Sequence, residues 1–189
     1  MASDVPLFPL HTVLFPGGRL PLRIFEQRYM DMAKVCLKDG SPFGVCLILE
    51  GSEVGDPALA ADVGTLAKIT AWDMPQLGVL HVIALGSVRF RVTERRVEPN
   101  GLARGTIEEL PADDDGPIPA TCAACIKLLD KVIDQQPAFF EPPLRKDSSS
   151  WVSARLTELL PLPLSAKQEL LELSSGVARL ERLNALLGK

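Results

Sequence analysis

The sequence predicts an α+β protein. Residues 1–111 read as a small, strongly bent sheet or barrel with one helix, and residues 112–189 as a helical bundle. Three observations carry this. Apolar strand-formers alternate with prolines through the opening segment. Further segments of strand length and two-residue period follow it. After Pro111-Ala112-Asp113-Asp114-Asp115-Gly116-Pro117 the apolar period becomes that of a helix.

The opening runs Pro6-Leu7-Phe8-Pro9-Leu10, Val13-Leu14-Phe15-Pro16-Gly17 and Leu20-Pro21-Leu22. Proline lacks a backbone N–H, so these are edge strands and extended connections that bury Leu and Phe. Gly17-Gly18-Arg19 is a turn in which glycine supplies positive φ. From Gln27 to Lys38, Tyr29, Met32, Ala33, Cys36 and Leu37 fall on one helical stripe. Gly40 suits a left-handed cap at its end. Pro42 to Leu49 is a continuous apolar run of buried-strand length, and Val63–Met74 and Gly78–Leu85 are further strands. Val88-Arg89-Phe90-Arg91-Val92 alternates, which predicts an apolar face inside and both arginines outside. Leu102–Leu110 closes the series.

In the second part, Cys122, Cys125, Ile126, Leu129 and Ile133 mark one helix, broken by Pro137 and Pro142-Pro143. Ser148-Ser149-Ser150 offers N-caps for a helix through Leu160. Pro161-Leu162-Pro163 stops it, and Ser165-Ala166-Lys167-Gln168 reads as a capping box for the next. Ser174-Ser175-Gly176 is a break before the stripe Val177, Leu180, Leu183, Leu187.

With 189 residues the chain can sustain a core without staples. Its net charge of −4 disfavours a general binder of nucleic acid or anionic membrane. It shows no signal peptide and no run of membrane-span length. Four cysteines in core-like segments read as reduced thiols, so the expected location is cytoplasmic.

The opening block and its continuation Ile24-Phe25-Glu26-Gln27-Arg28-Tyr29 resemble the start of the Lon protease N-terminal domain family. The resemblance continues through Phe43-Gly44-Val45, Val63–Ile69 and Gly86–Phe90 to the helical segments ending at Leu187. It implies a PUA-like barrel followed by a helical region. It also implies a non-catalytic module that binds peptide or unfolded protein in an apolar groove and at an exposed strand edge, by strand addition. The implied partners are unfolded or partner proteins, including a full-length Lon or another protease, with no cofactor. The candidate contact residues are Phe15, Pro16, Arg23, Glu26, Arg28 and Tyr29. Read from the residues alone, Glu26 and Arg28 tie the strand-to-helix junction while Tyr29 and Phe15 pack inside. Two departures stand out. The sequence ends at Lys189 with no Gly-x-x-x-x-Gly-Lys-Ser/Thr loop, and an apolar Met74-Pro75-Gln76-Leu77 turn replaces the family's polar one.

Other constellations read as structural. Cys122 and Cys125 have half the spacing of a zinc site, but sit one helical turn apart on a core face. Asp113-Asp114-Asp115 lacks the later ligands of a calcium loop and reads as a solvated linker. His11 and His81 adjoin no nucleophile motif, and His81 is expected to be a hydrogen-bonded structural residue in its strand. Arg89, Arg91, Arg95, Arg96 and Arg104 form the one basic cluster, which keeps an RNA-binding alternative open. The aromatics that stack on bases are not interleaved with it. An enzyme on an adapted barrel would need titratable groups gathered in a pocket, and the sequence offers no such set.

Overall fold

Residues 3–187 are described in a computed structural model. Among them the order is β1 (Ser3–Leu10), β2 (Arg19–Ile24), α1 (Gln27–Asp39), β3 (Phe43–Glu50), β4 (Leu59–Gln76), β5 (Val79–Val97), β6 (Ala103–Glu109), α2 (Ala123–Gln135), α3 (Ser149–Leu159), α4 (Leu164–Glu172) and α5 (Gly176–Leu187). The chain divides into two units, Met1–Leu110 and Pro111–Lys189.

The first unit is a mixed six-stranded sheet in the order β2-β5-β4-β3-β1-β6, and β5 also pairs with β6. That second pairing joins the two ends of the β5-β4-β3-β1-β6 run, with β2 left outside as an extension. Among the described strands only β1 and β3 run parallel. A parallel pair buried on both faces needs apolar side chains on both, and β1 supplies them. Val5 and Leu7 point into one cluster with Cys46, Leu66, Phe90, Val92 and Ile107. Phe8 and Leu10 point into the other, with Ile24, Phe43, Val45 and the α1 residues Tyr29, Met32, Ala33 and Cys36.

The first cluster centres on Phe90, which is fully buried. Gly64 makes room for it: a Cβ there would meet the Phe90 ring at 2.9 Å and the Val45 carbonyl closer still. α1 carries the predicted stripe and ends at Gly40, whose φ is 66°. The two expected strands of residues 78–92 are one continuous strand, β5.

One strand expectation fails. Arg89 is buried and Val88 is exposed, while Arg91 points outward. Thr65 pairs Arg89 but Ala67 pairs Gly86, so β5 carries an extra residue next to Val88. From Arg89 on the alternation holds, and Arg89 is buried because the face opposite Phe90 is covered as well, with Val63 and Thr65 also buried on it.

In the second unit, Ser148 Oγ caps α3 by accepting the Trp151 N–H at 3.0 Å. The expected capping box does not form. α4 already starts after Pro163, so Ser165 lies inside it, and Gln168 Nε2 donates to Glu172 at 2.8 Å instead. Proline at the start pre-sets an extended entry with no N–H to satisfy.

The aspartate run is not a solvated linker either. Asp113 accepts from Arg179 Nη1 at 2.7 Å, and the Arg179 side chain is 1 % exposed. The same guanidinium donates to the carbonyls of Leu170 and Leu173, at 2.7 and 2.8 Å. The Asp114 N–H donates to the Ser174 carbonyl at 2.7 Å. Asp115 accepts from the Ser148 and Ser149 hydroxyls and the Ser150 N–H, at 2.7, 3.0 and 3.0 Å. Burial raises the Asp115 carboxyl, but these donors outweigh it and hold the group below its ordinary range. The carboxylates of Asp113 and Asp115 each have their own donors, and Asp114 is exposed.

Candidate functional site

Five of the six sequence-predicted contact residues serve the fold's joints. Phe15-Pro16-Gly17-Gly18 is a type II turn: the Gly18 N–H donates to the Phe15 carbonyl at 3.0 Å, and Gly17 has φ 74°. The turn is clamped to β5 by Gly17 N–H to Gly86 O and Gly86 N–H to Gly18 O, at 2.8 and 2.9 Å. Phe15 is fully buried.

Glu26, Arg28 and Tyr29 form the second joint. Arg28 pairs with Glu26 at 3.1 Å and donates to the Gly101 carbonyl at 3.0 Å. Its guanidinium lies 4.7 Å from the Tyr29 ring centre, and Tyr29 stacks on Phe8 at 4.0 Å. Burial, above all, raises the Tyr29 phenol further above its ordinary range. Arg28 and Tyr29 are buried, so neither presents a surface to a ligand. Arg23 is exposed, on β2.

The basic cluster does not make one positive face. Arg96 and Arg104 both bind Asp4, and the Arg96 hydrogen bond leads the effects that lower the Asp4 carboxyl. Arg95 donates to the carbonyls of Ala60 and Ala61, both at 2.7 Å, and pairs with Asp62. All four cysteines are free and buried, and burial pushes the Cys46 thiol up to about 12. His81, expected as a hydrogen-bonded structural histidine, lies in β5 with its side chain exposed.

What the sequence did not single out is the extension made by β2 and the hairpin ends of β4 and β5. Pairing partners share a face, so the register defines three rows. Arg19, Leu85 and Lys68 form one row, Pro21, Ile83 and Ala71 the next, and Arg23, His81 and Asp73 the third. The other face carries Leu22, Val82 and Ala84, which pack on the core. A bulge makes this possible. Ile69 pairs Ala84 and Ala71 pairs Ile83, so Thr70 is extra, and its hydroxyl donates to the Ile83 carbonyl at 3.1 Å. Without the extra residue Lys68 and Ala71 would point to opposite faces.

This outer face holds an open groove of about 370 Å³, in the size range of a ligand cleft. Pro21, Ile83 and Ala71 give it an apolar floor, with Arg23, His81 and Asp73 at one end. Trp72, whose pairing with Val82 puts it on the other face, also borders the groove, and exposed Met74 and Leu77 lie further along the hairpin. Both edges of the extension are interrupted. Pro21 sits in β2, which pairs only with β5 among the described residues, and β4 is bulged and carries Pro75. Such edges resist an added strand.

Comparison with known proteins gives the family. The sequence matches that of the ATP-dependent protease La (LON) substrate-binding domain over residues 4–189, and the chain belongs to this family. A crystal structure of a Lon N-terminal domain protein from Xanthomonas campestris superposes with a TM-score of 0.80 at 37% identity, covering 97% of this chain and 98% of that one. Lon protease of Anaeromyxobacter dehalogenans is 29% identical over 98% of this chain. Protein cereblon of Danio rerio is 26% identical over 58% of it. The chain spans about a quarter of these two relatives: the matches cover 23% and 26% of their lengths.

Proposed function

We propose that this chain is a non-catalytic module that captures unfolded polypeptide on the outer face of the β2–β5–β4 extension. The observation that carries the reading is the apolar groove floored by Pro21, Ile83 and Ala71. The family's description as a substrate-binding domain supports it. The interrupted edges favour capture by the face over strand addition. Among the predicted contact residues, Arg23 is the one that lines the groove. Buried free thiols suit a reducing compartment, in keeping with a cytoplasmic module. The captured chain would be passed to a protease, a Lon or another. The test is fluorescence anisotropy of a labelled, permanently unfolded polypeptide and a single-stranded RNA. Binding of the polypeptide that survives moderate salt is the expected result. Binding of RNA alone, lost as salt rises, would overturn the reading.

A further inference from the structure

Arg23 and Asp73 stand at one end of the groove, and the row next to its floor on the other side holds Arg19 and Lys68. All four side chains are exposed. Arg19 and Lys68 stand on the two strands either side of Leu85. Neighbouring strands lie about 4.8 Å apart, so the backbone positions of the two residues are roughly 10 Å apart, on either side of Leu85.

We infer that the groove prefers an extended peptide with an apolar residue followed or preceded, two positions away, by an acidic one. This rests on the peptide-binding reading above and specifies its ligand. Successive rows of the face are about 7 Å apart along the strands. Side chains two apart on an extended ligand have the same spacing. An apolar side chain seated over Ile83, between Pro21 and Ala71, therefore places the next side chain on that face over Leu85. A carboxylate there sits between Arg19 and Lys68. A lysine there meets two like charges. The opposite row gives no comparable selection, because Arg23 and Asp73 stand on either side of His81.

The test uses the full chain and three labelled nine-residue peptides. Each has one leucine, with Asp, Asn or Lys two positions away, in an otherwise uncharged Ser/Gly background. The Asp peptide is expected to bind about five-fold tighter than the Asn peptide, with the Lys peptide weakest, since each exposed pair adds a modest amount. The preference is expected to vanish in 1 M salt, where screening acts within about 3 Å. Lys68→Glu is expected to abolish the preference for the Asp over the Asn peptide. Lys68→Gln, a milder change at the same exposed site, is expected to reduce it. Equal binding of the Asp and Asn peptides would overturn this inference and leave the peptide-binding reading standing. No binding of any of the three, together with none of a long unfolded polypeptide, would overturn both.

Discussion

Arg179→Met is the sharpest test of how the second unit is held together. The native guanidinium is 1 % exposed and joins four groups. It bonds Asp113 at 2.7 Å, Ser153 Oγ at 3.1 Å, and the carbonyls of Leu170 and Leu173 at 2.7 and 2.8 Å. Methionine keeps much of the apolar stem but supplies none of these donors. The Asp113 carboxylate, itself 12 % exposed, then loses its cation. Removing one partner of a buried ion pair costs about 3–5 kcal/mol, so we expect a loss of about 4 kcal/mol. The assay is urea unfolding followed by tryptophan fluorescence in a Trp72→Phe background. The chain has two tryptophans, so Trp151 in α3 then reports on the second unit alone. With a slope of about 2 kcal/mol per molar urea, the midpoint should fall by about 2 M. Arg179→Lys keeps the charge but not the fork of donors, and should fall between. A loss below about 1 kcal/mol for Arg179→Met would refute the idea that this residue organises α3, α4 and the aspartate run.

Three further outcomes are expected. Asp115 is held below its ordinary value of 3.8, so its contribution is complete above that pH and is lost as pH falls through the lower, folded value. Asp115→Asn should therefore destabilise at pH 6 and differ less from the parent as the solution is acidified below pH 4, read from urea midpoints. Thr65 is fully buried and its hydroxyl donates to the Leu14 carbonyl at 2.6 Å. Thr65→Val should cost about 1–3 kcal/mol by orphaning that carbonyl, checked by thermal unfolding. The Cys46 thiol, pushed up to about 12 by burial, should resist alkylation at pH 8 in the folded protein and react once urea unfolds it, followed by mass spectrometry of the peptide.

Local signals placed most elements of the fold. The prolines at 6, 9 and 21 mark extended segments, Pro16 marks a turn, the α1 stripe ends at Gly40, and Ser148 caps α3. What escaped depended on distant partners or on a single inserted residue. Asp113 reads as a solvated charge because its cation, Arg179, lies 66 residues away. The arginines of β5 and β6 read as a basic patch because Asp4, which neutralises two of them, sits at the other end of the unit's sequence. Arg89 is buried because the sheet face opposite Phe90 is covered too, where its partner Thr65 bonds the distant Leu14 carbonyl. The groove was hidden for the same kind of reason. Its floor joins residues from three strands, and the Thr70 bulge decides that Lys68 and Ala71 share a face. No period in the sequence carries that information. The family motif Glu26-x-Arg28-Tyr29 was visible, but its conspicuous residues hold the joint between β2 and α1.

We propose that the outer face of the β2–β5–β4 extension captures unfolded polypeptide. Its most direct test is the affinity for one labelled unfolded polypeptide of the parent, Ile83→Ser and Val35→Ser. Ile83 floors the groove, whereas Val35 is an exposed apolar residue on α1, away from the groove's lining. Loss of one well-seated aliphatic contact is worth about 1.5 kcal/mol, so Ile83→Ser should weaken binding about ten-fold and Val35→Ser should leave it unchanged. Equal affinity of all three proteins, or a loss confined to Val35→Ser, would contradict the account.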